Sequence, residues 1–134
     1  MTEISSGTLN VGLAQIAPVW LDREATLAKI VARIEEAAER KCNLVIFGEA
    51  LLPGYPFWVE RTDGARFNSQ IQKELFAHYL DQAVQIEAGH LDPVCALAAE
   101  HSLAVYLGII ERPPDRSGHS VYASLVYIDP QGQI

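Results

Sequence analysis

Two kinds of hydrophobic spacing alternate along this chain. Leu9 to Ile16 is a short apolar-rich run closed by Ala17 and Pro18, and the proline withdraws a backbone donor that a continuing strand would use. From Asp22 to about Lys41 the period changes: Leu27, Ile30, Val31, Ile34 and Ala38 recur every three or four residues, predicting an amphipathic helix packed on a flat surface. Asp22 and Glu24 stand at its amino end, where the helix dipole favours negative charge. Leu44 to Phe47 is continuously apolar and rich in β-formers, which predicts an interior strand covered on both faces. It runs directly into Gly48, Glu49 and the turn-rich LLPGYP.

After a polar stretch from Glu60 to Asn68, helical spacing returns from Ser69 to about Val84 through Ile71, Leu75, Tyr79 and Ala83. Asp92 and Pro93 form a cap and first turn, and Val94, Leu97, Ala98 and His101 then share one side of a short helix. Leu103 to Ile110 reads as a buried strand, Pro113 to Gly118 as a loop, and Tyr122 to Ile128 as a fourth strand. Asp129 to Gly132 is then a reversing turn. The order β, α, β, α, α, β, β predicts a layered α/β domain. Strands joined by helices should run parallel and the last pair antiparallel, giving a mixed sheet. A turn such as DPQG normally delivers a returning strand, so the sequence reads as part of a longer domain.

Composition narrows the classes. Hydrophobic residues make up 49% of the 134 and charged residues 20%, which suits a folded core and not a disordered chain. A net charge of -7 with dispersed basic residues argues against nucleic acid. No apolar run approaches the roughly 18 to 20 residues of a membrane span, and Met1 to Gly7 has neither the basic nor the apolar part of a signal peptide, so a cytoplasmic location is expected. Cys42 and Cys95 are too few and wrongly spaced for a disulfide framework or zinc, and His78, His90, His101 and His119 lack ligand spacing. No metal or organic cofactor is expected. A nucleotide-binding or receiver-like domain would need a Gly-rich loop or an aspartate cluster after the first strand, and AQIAPVWLD offers neither.

Glu49 is the candidate for chemistry. At the end of an apolar strand a carboxylate loses solvation and resists ionisation, and strand ends are where open α/β sheets place ligands. Read from the residues alone, two roles stay open: a general base or acid with a raised pKa, or a carboxylate that caps the turn at Pro53 and Gly54.

The segment VIFGEALLPGYPFW, Val45 to Trp58, resembles the glutamate motif of the nitrilase superfamily of carbon-nitrogen hydrolases. VGLAQIAP resembles that family's first strand and VYASLVYIDPQGQI the strand and turn before its catalytic lysine, so the likeness spans essentially the whole chain. The resemblance implies an αββα sandwich, of which residues 1–134 would be the N-terminal part of one domain, lacking the C-terminal half. It implies a Glu-Lys-Cys triad acting through a covalent thioester, with Glu49 as general base desolvated by burial, and it places the lysine just beyond Ile134 and the cysteine some tens of residues later. It further implies a small-molecule nitrile substrate, with amides or carbamoyl compounds as the alternative, and homo-oligomers. The aromatic-containing stretch from Pro56 to His90 resembles the nitrilase branch, with Tyr55, Phe57 and Trp58 as candidates for the substrate pocket, although aromatics beside a turn also serve as packing. Two departures leave the subfamily open: Gly48 where many relatives carry proline, and Ala123 where they frequently carry asparagine. Neither cysteine suits the nucleophile: Cys42 lies at the far end of the strand from Glu49, and Cys95, although in the first turn of a helix, reads as a small buried side chain. A catalytically inactive chain acting only in self-association is the competing reading.

Overall fold

The computed structural model describes residues 7–115 and 118–134, so Arg116 and Ser117 of the expected 113–118 loop lie outside the described residues. Four strands form one sheet in chain order: β1 (Val11–Ala14), β2 (Leu44–Phe47), β3 (Ala104–Glu111) and β4 (Tyr122–Ile128). The first three run parallel and β4 returns antiparallel on β3, the mixed sheet expected from the order of elements. Between β1 and β2 lies α1 (Arg23–Glu39); between β2 and β3 lie α2 (Trp58–Arg61), α3 (Gln70–Gln82) and α4 (Asp92–His101). No helix among the described residues is long and apolar enough to cross a membrane.

The sheet is covered unequally. On one face Val45 and Phe47 of β2, Val105, Leu107 and Ile109 of β3, and Val126 and Ile128 of β4 are buried against Ile30 and Ile34 of α1 and Val94 and Ala98 of α4. Period-two alternation puts Leu13, Ile46, Tyr106, Leu125 and Tyr127 on the other face. There Leu13 is 77% and Leu125 67% exposed, and Ile46 and Tyr106 are half-buried. The expectation that β2 is covered on both faces is therefore corrected: it is interior to the sheet, but only its Val45 and Phe47 side is sealed. Its unbroken apolar run reported burial by neighbouring strands and one helical layer.

Local chemistry explains the helix ends. Asp22 caps α1, its Oδ1 accepting from the Ala25 N–H at 2.9 Å. Val84, expected at the end of α3, leaves it because its N–H donates to the Ile110 carbonyl at 2.7 Å, a bridge to β3 that ends the helix at Gln82. Asp92 lies inside α4 instead of capping it, with Leu91 at the cap. Ile71 and His101, placed by spacing on packed faces, are exposed. The first strand is also shorter than the apolar run that announced it. The expected turn is present: Asp129 Oδ1 accepts from the N–H groups of Gln131 and Gln133, both at 2.9 Å, and Gly132 packs its α-carbon against the Cys95 carbonyl.

Candidate active site

The segment after β2 is more than a simple turn. Ile46 pairs with Tyr106, and the next partners are Leu52 and Ile109. Over that interval β3 advances three residues while the other chain advances six, so the surplus segment loops out of the sheet. The chain then rejoins β3, with the Leu52 N–H donating to the Gly108 carbonyl (3.3 Å) and the Ile110 N–H to the Leu52 carbonyl (2.8 Å). Glu49 rides on this bulge, and Ala50 beside it takes a left-handed conformation (φ 50°). The bulge sits at the carboxyl end of a parallel strand, the end at which α/β sheets present ligand sites.

Glu49 opens onto a cleft of about 280 Å³ shared with Tyr55, Pro56, Tyr79, Ile110, Tyr122 and Ala123. Its carboxylate is exposed, which corrects the burial expected of a strand-end residue. The bulge lifts it away from the sealed layer and toward the sheet face that lies open. No hydrogen bond or ion pair holds it among the described residues, so the turn-capping role finds no support.

The three aromatic candidates separate. Tyr55 lies on the cleft, 46% exposed, its ring 5.0 Å from Phe57 and its carbonyl accepting from the Trp20 indole N–H at 2.8 Å. Phe57 is half-exposed beneath the Arg61 guanidinium and does not line the cleft. Trp58 is buried with Tyr79 (ring centroids 5.9 Å) and Phe76 (6.3 Å) in a second cluster that includes Leu21, Ala83 and Ile110. The structure thus places Trp58 behind the cleft wall, in packing, where its apolar area supports Tyr79. Tyr79 links the two layers: its hydroxyl donates to the Gly54 carbonyl at 3.3 Å, and burial, with nearby Tyr55, pushes its phenol well above its ordinary value.

Sequence reasoning missed Ile110, Tyr79 and Tyr122 as cleft residues. Ile110 reaches the cleft through the register of β3 and β4, which opposes it to Ala123, and the sequence carries no signal of that pairing. Ala123, noted as a departure, stands on the cleft itself.

Neither cysteine approaches Glu49. Cys42 packs near Gly12, beside the start of β1. Cys95 lies in α4 against the core, where burial and, secondarily, Asp92 push its thiol up. A roomier groove of about 440 Å³ runs along β1 and α1, but its charged residues Arg33, Glu36 and Arg40 already pair with one another. No lysine or cysteine lines the cleft among the described residues.

A family profile described as carbon-nitrogen hydrolase matches residues 10–134. The chain is 38% identical over 128 residues to Nitrilase 2 from an unknown prokaryotic organism, covering 96% of this chain and 39% of that protein. It is 37% identical to an arylacetonitrilase of Fusarium vanettenii, covering 94% and 34%. An aliphatic nitrilase of Rhodococcus rhodochrous is 32% identical, covering 96% and 33%. The chain therefore spans little more than a third of the length of these relatives. Among solved structures it superposes on an amidase from Nesterenkonia sp. with a TM-score of 0.60 at 15% identity, over 93% of this chain and 40% of that one. The NitFhit protein of C. elegans gives a TM-score of 0.59 at 18% identity, over 93% and 27%. At such identities these two establish the fold.

Proposed function

The chain belongs to the carbon-nitrogen hydrolase family, and from that premise we propose that it carries the general base, Glu49, of an enzyme converting nitriles to the carboxylic acid and ammonia. One observation carries this reading: Glu49 is held on a bulge at the carboxyl end of a parallel strand, free of partners among the described residues and facing a cleft. In the family mechanism such a carboxylate takes the proton of a cysteine thiol, and the thiolate attacks the nitrile or amide carbon. Lysine stabilises the charge that develops. On a nitrile the attack gives a thioimidate, which takes up one water and loses ammonia to become the thioester, whereas an amide loses ammonia directly. A further water then releases the acid from the thioester and restores the thiol. The nitrile reading is favoured over the amide one by the chain's likeness, above 30% identity, to Nitrilase 2, the Fusarium arylacetonitrilase and the Rhodococcus aliphatic nitrilase. Tyr55 and Tyr122 would offer the substrate an aromatic wall, and Trp58 would shape that wall from behind through Tyr79.

Lysine and thiol are both absent from the cleft among the described residues, so the chain by itself is expected not to turn over. Intact mass measured together with ammonia release on a panel of nitriles and amides tests this. A mass near 14.7 kDa with turnover would overturn the requirement for further residues. A larger mass with turnover would place these residues in a complete enzyme. There Glu49→Gln should lower kcat at least about 100-fold, the lower end of what a positioned general base contributes. Activity surviving that substitution would remove Glu49 from the chemistry.

A further inference from the structure

We propose that Gly108, in the middle of β3, is the positioning residue for Glu49; this rests on the general-base reading of Glu49 given above. A glycine inside a strand weakens the strand and marks either an unusual conformation or the close approach of another backbone. Gly108 is not among the residues of positive φ, so conformation does not call for it. Space does. A β-carbon at position 108 would lie 2.2 Å from the Gly48 carbonyl oxygen, 2.8 Å from the Glu49 α-carbon and 2.9 Å from the Ala50 nitrogen. All three are backbone atoms and cannot rotate aside. The bulge that carries Glu49 therefore crosses β3 through the place where any other residue would put its side chain. It is pinned there by the hydrogen bond from the Leu52 N–H to the Gly108 carbonyl. Adding one methyl group must move the bulge by about an ångström, a displacement sufficient to cost roughly 100-fold in rate at a catalytic group. Gly48, on the bulge itself, is the contrasting case: a β-carbon there meets nothing within 4 Å.

The test has a structural arm and a catalytic arm. In the unmodified chain, NMR should show a cross-relaxation contact between the α-protons of Gly108 and Glu49; its absence overturns the proposal. Gly108→Ala should speed amide exchange at Leu52 by about tenfold or more, while Val45 and Val105 in the adjoining pairs keep their protection. Gly48→Ala should leave all three unchanged. Equal exchange at Leu52 in Gly108→Ala and the unmodified chain refutes the inference, and none of these readings needs turnover. Where the protein turns over, Gly108→Ala should lower kcat about 100-fold with KM held within about twofold. It should add nothing on the Glu49→Gln background, because both substitutions then act through one carboxylate. A further loss on that background would mean general damage and refute positioning. The two proposals fail separately. An active Glu49→Gln removes the general base, whereas an inactive Glu49→Gln with a fully active Gly108→Ala removes Gly108 alone.

Discussion

Leu52→Ala compared with Leu125→Ala measures how unequally the two faces of the sheet are covered. Leu52 is fully buried where the bulge rejoins β3, and its backbone bridges Ile109. Truncating it removes buried hydrocarbon and leaves a cavity that the surrounding strands cannot fully close, which costs about 3 kcal/mol. With a urea dependence of about 1.5 kcal/mol per molar for a chain of this size, the unfolding midpoint should fall by about 2 M. Leu125 loses the same atoms but is 67% exposed, so only about a third of its transfer free energy is at stake, roughly 0.5 kcal/mol. That corresponds to about 0.3 M, near the resolution of the method. Urea titrations followed by far-UV circular dichroism at several protein concentrations give both numbers. Equal losses for the two variants would refute the reasoning, because Leu125 would then be as well covered in solution as Leu52.

His90 gives a pH dependence. Burial first, then the charges of Arg23 and Arg112, lower its pKa, and its Nδ1 accepts from the Gln85 N–H at 3.0 Å. A histidine whose folded pKa lies below its unfolded value of about 6.5 gives stability that is complete above that value and is lost as pH falls through the folded pKa. Urea midpoints should therefore drop between about pH 7 and pH 5, and His90→Asn should flatten that slope; an unchanged slope would remove His90 as its source. Gly132 takes φ 79° with the Cys95 carbonyl 2.4 Å from where a β-carbon would sit. Gly132→Ala should cost about 2 kcal/mol, read as a melting temperature lower by about 7 °C, and a shift under about 2 °C would mean the turn does not pack on α4 as described.

Where structure is set by local composition, the sequence was a sufficient guide. Leu44–Phe47 and Tyr122–Ile128 have the boundaries their apolar runs predicted, and Asp22 caps α1 because a short carboxylate beside a free helix end has one favourable use. What was missed depends on partners distant in sequence. The end of α3 is set by Ile110, which captures the Val84 N–H from 26 residues away, and no periodicity around Val84 announces that. The four-residue α2 is too short to show a helical period, so Trp58 read as a pocket aromatic until its packing on Tyr79 and Phe76 was visible. The motif around Glu49 singled it out as the candidate residue. The bulge that presents it was not legible, because a bulge is a mismatch between two strands and only one of them contains the glutamate.

The exposure of Glu49 and the openness of the second sheet face are one physical condition. Ile110 and Ala123 line the cleft with Glu49, and they lie on the same side of the sheet as Tyr106, Leu125 and Tyr127. Apolar residues at Leu13, Ile46 and Leu125 suit a face removed from water, and the run from Leu44 to Phe47 carries that character on both sides. Desolvation raises a carboxylate's affinity for the proton and so favours its work as a base near neutral pH. The general-base reading therefore predicts that this face is covered during turnover. If it is, nitrile or amide turnover and protection of Leu125 from solvent should rise together. An active protein whose Leu125→Ala variant still cost no more than about 0.5 kcal/mol would separate the two and leave Glu49 without the environment that favours its chemistry.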